Sequence, residues 1–359
     1  MNQNVLKGIL VLLVVVDHNE FSRNLFRGFL EGFSFHVVGF LMMPFLRPAA
    51  PWSRDYLNYL FRLYFPYLLV VTAMAIVVAW VEPVTAGEQA LRWLHVLYSG
   101  NSALLKQVTD MALLWFLPAF ISLVTLRMAI ENSGRTGKAI AIVLLCVAHL
   151  FVGTVSREFA PYLPLGLLPA VYVVPLAYLG VLLQRRIFER IAPLAALLVT
   201  GTIYVAVKHA QIRAGLYNEI GFGMVADYRA PGALLINDLE AVTGVLMLFQ
   251  LARFRLEGLL ALAGKYSLQV YLFHAFVALG VYKVLLRFTA GWPVAALFTV
   301  SLLATVLLTV PLARFLAEQP LTRRFLFPRS PADLFGRPPA GRSRAPVIPS
   351  TATQSDARQ

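Results

Sequence analysis

Ten apolar segments follow one another along the chain, at about residues 3–20, 28–46, 62–81, 110–130, 138–155, 168–184, 191–208, 233–252, 266–287 and 293–316. Short polar connections separate them. A helix needs about 20 mostly apolar residues to cross bilayer hydrocarbon. The pattern therefore predicts an all-α, polytopic membrane protein with about ten transmembrane helices in one bundle. Two segments are weak as spans. The first has only about thirteen strongly apolar residues, short of that length, and it carries Lys7, Asp17 and His18. The second carries Glu31 and His36. Both cross only if neighbouring helices shield their ionisable groups, which then face a bundle interior or a water-filled cavity.

The first segment holds the most informative pattern. Ile9 to Val16 are eight consecutive aliphatic residues, flanked by Lys7 and His18. Lys7 and His18 are eleven positions apart, close to three helical turns, so they share one face roughly 16 Å apart. An ordinary anchor accounts for them differently: Lys7 snorkels to one interface and His18 caps the other.

Composition supports the membrane class. The 359 residues are 59% hydrophobic and 14% charged, against about 25% charged in soluble domains. The net charge of +13 raises nucleic acid as a partner, but no basic patch interleaves with aromatics in a soluble segment. The charge follows membrane topology instead. With the N-terminus in the cytosol, twenty of the 31 basic residues fall in cytosolic connections and the tail. Arg47, Arg54 and Arg62, Arg127, Arg135 and Lys138, and Arg185, Arg186 and Arg190 are among them. By the positive-inside rule both termini are cytosolic. The first segment lacks a basic leader and a small-residue cleavage site, so it reads as a retained span. Cys146 is the only cysteine, which excludes a disulfide framework.

The longest connections, 82–109 and 209–232, are extracytoplasmic in this topology. Glu88 to Ser99 is amphipathic at helical spacing, as an interfacial or lid helix is. Residues 1–328 form the ten-span domain. Residues 329–359, rich in Pro, Arg and Ser, read as a disordered cytosolic tail whose arginines touch anionic lipid. No internal or inverted repeat of the kind secondary transporters show is visible. No His/Cys/Asp cluster has metal-ligand spacing, and no Gly-rich phosphate loop or Ser nucleophile elbow occurs.

Three further clusters carry polar groups in apolar surroundings: FRLYFPY (Phe61–Tyr67), LWFLPAF (Leu114–Phe120) and GKYSLQVYLFHAF (Gly264–Phe276). In the last, Ser267, Tyr271 and His274 fall at i, i+4 and i+7, on one helical face. Taken together, the chain resembles the membrane acyltransferase-3 family, its fucose 4-O-acetylase-like branch in particular. The resemblance rests on Lys7, Gly8 and His18; on Phe35, His36 and Gly39–Phe45; and on Arg62, Leu63, Pro66 and Tyr67. Trp115–Pro118, then Ser267, Leu268, Tyr271 and His274, and the closing Glu318 complete it. It covers about residues 5–328 in order and departs from the family pattern at Asp17, at Tyr59 and in the segment FHVVGFL.

The resemblance implies transfer of an acyl group, usually acetyl from acetyl-CoA, to a sugar hydroxyl of a surface polysaccharide or lipid-linked glycan at the bacterial inner membrane. His18 is then the general base, since imidazole titrates near neutral pH. Lys7 holds the thioester or phosphates, or else forms a buried ion pair. Arg62 suits a CoA phosphate, or serves as a positive-inside arginine. His36 orients the acceptor or shares the proton relay, or is a satisfied core histidine. Tyr271 and His274 supply oxyanion or acceptor hydrogen bonds, with Ser267 on the same face, or make polar helix–helix contacts. Trp115 stacks on a sugar, or belongs to an interfacial aromatic belt. Asp17, next to His18 in sequence, points about 100° away and is a poor orienter. The alternative class is a transporter or flippase for a lipid-linked sugar or small solute.

Overall fold

The computed structural model describes residues 2–25, 35–48, 52–81, 85–152, 159–215, 231–254, 256–289 and 291–335. The described residues form helices and no strands. In chain order these are α1 (Gln3–Asp17), α2 (Glu20–Leu25), α3 (Phe35–Met42), α4 (Arg54–Val81), α5 (Ala86–Ser99), α6 (Ser102–Thr109), α7 (Phe116–Asn132) and α8 (Arg135–Phe151). Then follow α9 (Leu167–Arg186), α10 (Pro193–Arg213), α11 (Pro231–Leu251), α12 (Leu259–Lys265), α13 (Ser267–Phe288), α14 (Val294–Glu318), α15 (Pro320–Phe325) and α16 (Pro331–Leu334).

Each of the ten apolar segments contains a helix within its described residues. Among the described residues seven helices are long and apolar enough to cross a membrane: α4, α7 with its preceding turn, α9, α10, α11, α13 and α14. The other three, α1, α3 and α8, are shorter. The 15 residues of α1 rise only about 22 Å, less than the ~30 Å of hydrocarbon. Of the second predicted span, residues 35–46 form α3 and the 3₁₀ turn Met43–Leu46, while Glu31 lies outside the described residues.

The short first helix is the middle of the bundle. It packs on α3, α11, α12, α13 and α14. Its Val5, Leu6, Ile9 and Leu10 join one apolar core with α3, α7, α9 and α11. Its Val11, Val14 and Val15 join a second core with α4, α5, α6, α13 and α14. A helix that is apolar all round must be surrounded, and this explains the unbroken run Ile9–Val16. Conversely, α8 buries only His149 and turns Val143, Leu144, Val147 and Leu150 outward. The outer faces of α4, α10, α13 and α14 are likewise apolar and exposed. Apolar faces this extensive mark a surface made for lipid, and the chain is a multi-pass membrane protein.

The amphipathic stretch Glu88–Ser99 forms most of α5. Thr85 caps its start by accepting from the Glu88 amide, and Gly100 ends it in the left-handed region at φ 61°. Its inward residues include Val96 and Leu97, and Tyr67 of α4 donates its hydroxyl to the Val96 carbonyl at 3.0 Å. Of the segment assigned to the tail, residues 329–335 carry α16, with the Arg329 amide on Asp333 at 2.8 Å. The remainder lies outside the described residues.

Candidate active site

Backbone contact fixes the position of α1. The Asn2 side chain accepts from the Asn4 and Val5 amides and starts the helix. A Cβ added to Gly8 would fall 1.9 Å from the Leu260 carbonyl oxygen, and one on Gly264 1.7 Å from the Asn4 carbonyl oxygen. Only glycines allow α1 and α12 to approach this closely. The glycines of the KG and GKY motifs thus set the depth of Lys7 and His18 against α13.

At the far end His18 is the C-cap of α1. Its backbone N–H and its Nδ1 both meet the Val14 carbonyl, Nδ1 at 2.9 Å. A carbonyl only accepts, so Nδ1 carries the proton and Nε2 presents a lone pair. The turn that follows is held tightly. Ser22 donates to the Asn19 carbonyl at 2.6 Å, and the buried Asn19 amide donates to Ser301 of α14 at 3.0 Å.

Three other ionisable groups converge there. His274 of α13 lies edge-on to His18, with ring centroids 5.3 Å apart. It is fully buried, its Nδ1 meets the Tyr271 carbonyl at 2.7 Å, and its Nε2 has no hydrogen-bond partner among the described residues. His274 therefore repeats the tautomer of His18, with Nε2 as acceptor. Asp17 sits between His18 and the buried His36: its Oδ2 is 3.9 Å from His18 Nδ1 and 4.0 Å from His36 Nε2. Both distances exceed hydrogen-bond reach, so Asp17 acts on the two rings through its charge. Asp17 makes no orienting bond to His18, as its position on the helix implies, and it is α3 that brings His36 up to its other side.

The opposite end of α1 is cationic. Lys7 is half-buried, makes no ion pair among the described residues, and feels the like charges of Arg47 and Arg62. Arg62 is exposed near the start of α4. Lys7, Arg47 and Arg62 thus gather positive charge at the foot of the helix that carries His18 at its head.

The remaining sequence candidates divide. Tyr271 donates its hydroxyl to the Leu113 carbonyl, in the 3₁₀ turn Ala112–Trp115, and packs its ring 5.3 Å from Phe116. Its proton is committed, which leaves the hydroxyl as an acceptor and not an oxyanion donor. Trp115 is half-buried beside Phe116, 6.2 Å between rings, and so borders the Tyr271 contact. Ser267 shares the α13 face but begins the helix, about 10 Å from His274 along its axis. Glu318 accepts from Tyr266 at 2.5 Å and Arg314 at 3.2 Å, fastening α14 to the α12–α13 corner.

Sequence reasoning missed a hydroxyl stripe on α14. Ser301, Thr305 and Thr309, each four residues apart, are all buried on the face turned to α13 and α1. The i, i+4, i+8 spacing was a readable signal. By contrast His149, which has no motif, uses both ring nitrogens, on the Tyr172 carbonyl at 2.8 Å and Asp238 at 2.9 Å. It anchors α8 and has no lone pair to offer. Among the described residues no three histidine, cysteine or carboxylate groups converge to hold a metal ion.

A basic imidazole, a flanking carboxylate and a cationic foot on one buried helix suit the movement of a group from an anionic donor. Comparison with known families matches residues 3–314 to the acyltransferase domain of the acyltransferase-3 family. None of the curated proteins and none of the solved structures matches the chain. With the whole of α1 through most of α14 inside that match, the chain belongs to the acyltransferase-3 family and is a membrane acyltransferase.

Proposed function

We propose that the protein transfers acetyl from acetyl-CoA to a sugar hydroxyl of a surface polysaccharide or lipid-linked glycan at the bacterial inner membrane. The observation that carries this reading is the free Nε2 of His18, held by the Nδ1 contact to Val14, on the same helix as the unpaired Lys7. His18 Nε2 removes the proton of the acceptor hydroxyl as its oxygen attacks the thioester carbonyl; the tetrahedral adduct then breaks its C–S bond, and the departing CoA sulfur takes the proton back from the imidazolium. Asp17 stabilises the imidazolium that forms. His274 Nε2, an acceptor without a hydrogen-bond partner among the described residues, orients the incoming hydroxyl, and Trp115 and Ser267 border the acceptor and donor paths. His36 holds Asp17 from the other side.

Lys7 and Arg62 draw the anionic donor to the foot of α1. With both termini cytosolic, that foot faces the compartment that holds acyl-CoA, and His18 lies toward the glycan side. The bundle supplies the passage between them.

The test compares ester-resolved NMR and mass spectra of cell-surface glycans from wild type, a deletion, and the deletion carrying His18→Ala. An O-acetyl signal that is lost on deletion, restored by wild type and not by His18→Ala, is the expected result. Full restoration by His18→Ala overturns the base. Unchanged acetylation with missing surface polysaccharide overturns the reaction and favours transport.

A further inference from the structure

A cleft lies apart from the histidine cluster. It opens at the end of the bundle where α1 begins, between the turn Met43–Leu46 and α7, α8 and α9. Its volume is about 500 Å³, within the range of small-molecule sites. Arg47, Arg127, Lys138, Arg185 and Arg186 line it against a single carboxylate, Glu131. That carboxylate is already engaged, by Lys138 at 2.6 Å and the Tyr178 hydroxyl at 2.8 Å. Four guanidinium groups and one ammonium therefore line the cleft against one carboxylate, already engaged, among the described residues. A positive-inside bias accounts for arginines on this side, but not for their convergence on a cavity.

Arg127 adds an independent sign. It is only 8% exposed, lies over the Phe45 ring at 5.2 Å and donates to the Arg47 carbonyl, yet its buried Nε–H has no partner among the described residues. A buried cation with an unmet donor is costly unless an anion completes it. Guanidinium forks are suited to phosphate oxygens, and Val181 and Leu182 give the cleft an apolar wall for a flat base. The cleft also connects to the reaction path. Arg47 lines it and acts on Lys7, and Tyr59 lies in the joint field of Arg47, Arg62 and Arg127.

We propose that this cleft holds the 3′-phosphorylated adenosine diphosphate end of acyl-CoA, with the pantetheine arm leaving past Arg47 toward Lys7 and α1. The assignment rests on acyl-CoA being the donor. An anionic lipid headgroup shares the phosphate chemistry, but it brings one phosphate to a site lined by four guanidiniums, where the nucleotide brings three.

The experiment titrates CoA and 3′-dephospho-CoA into the purified full-length protein in phosphatidylcholine nanodiscs, with and without phosphatidylglycerol. Wild type is expected to prefer CoA, and the exposed-site double variant Arg185→Gln/Arg186→Gln to bind it about tenfold more weakly and to lose the preference. Arg135→Gln/Arg190→Gln removes the same charge from the same side outside the cleft and is expected to bind as wild type does. If Arg185→Gln/Arg186→Gln binds CoA as wild type does, the cleft assignment is overturned while the donor stands. If wild type binds no CoA, the donor reading falls and takes the assignment with it. Loss of bound phosphatidylglycerol from the variant, with CoA affinity unchanged, makes the cleft a lipid site and overturns the proposal.

Discussion

His18 is set apart from the other buried imidazoles by where its proton sits. His149 has both nitrogens engaged by acceptors, the arrangement of an imidazolium that fastens one helix to two others. His18 gives its Nδ1 proton to its own helix and keeps Nε2 open, with Asp17 3.9 Å from the ring. At that distance, and an effective dielectric of about 20, the attraction for an imidazolium is on the order of 4 kcal/mol. Asp17 is about one-third exposed, so solvent screens much of it. Asp17→Asn is therefore expected to lower kcat about tenfold with little change in KM, because the charge matters only once the proton has moved. His18→Gln is expected to cost about 10²–10⁴-fold. Thiol release from acetyl-CoA in the presence of acceptor measures both. A fall in kcat of the same size for the two variants would remove Asp17 from its supporting role and make it part of the base.

The α1–α12 contact turns two motif glycines into a distance constraint. Gly8→Ala and Gly264→Ala each push a methyl into a carbonyl of the facing helix, at 1.9 and 1.7 Å, and backbone cannot swing aside as a side chain can. The helices must separate, at a cost of about 1–3 kcal/mol or more. Both variants are expected to melt at lower temperature in detergent and to lose activity beyond what the melting explains, since α1 carries His18. Gly280 on α13 has open space around its Cα, so Gly280→Ala is expected to be neutral or slightly stabilising. Thermal melts of the three variants, side by side, decide it; a wild-type melt for Gly264→Ala would mean that α12 is not the wedge that fixes α1. The glycines were legible in the sequence as part of a pattern. Their reason was not, because it lies in a neighbour more than two hundred and fifty residues along the chain.

At the scale of the whole molecule, the apolar runs revealed the helices because lipid contact demands continuous apolar surface, and α8 shows that demand at its simplest. The polar interior was less legible. Lys7, His18, His36, Tyr271 and His274 could be picked out one by one, since each is an ionisable or polar side chain in an apolar run. That they gather could be expected, but which atoms meet could not, because that depends on which helices adjoin: Asn19 and Ser301 meet across 282 residues. The same holds for the fully buried Lys208–Glu240 pair, 3.7 Å apart between α10 and α11, which no motif marks.

Orientation is the one global property that charge counting supplies and packing does not, and the donor site depends on it. Cys146 is exposed on α8, so Cys146→Ser gives a cysteine-free background for labelling. In that background Arg186→Cys, at the end of α9, and Trp292→Cys, between α13 and α14, lie on opposite faces of the bundle. A membrane-impermeant maleimide added to spheroplasts is expected to label Trp292→Cys alone, and both variants after lysis. The reverse pattern would put the cationic foot of α1 and the arginine cleft outside the cell. There no acyl-CoA reaches them, and both the direction of transfer and the nucleotide site would fall together.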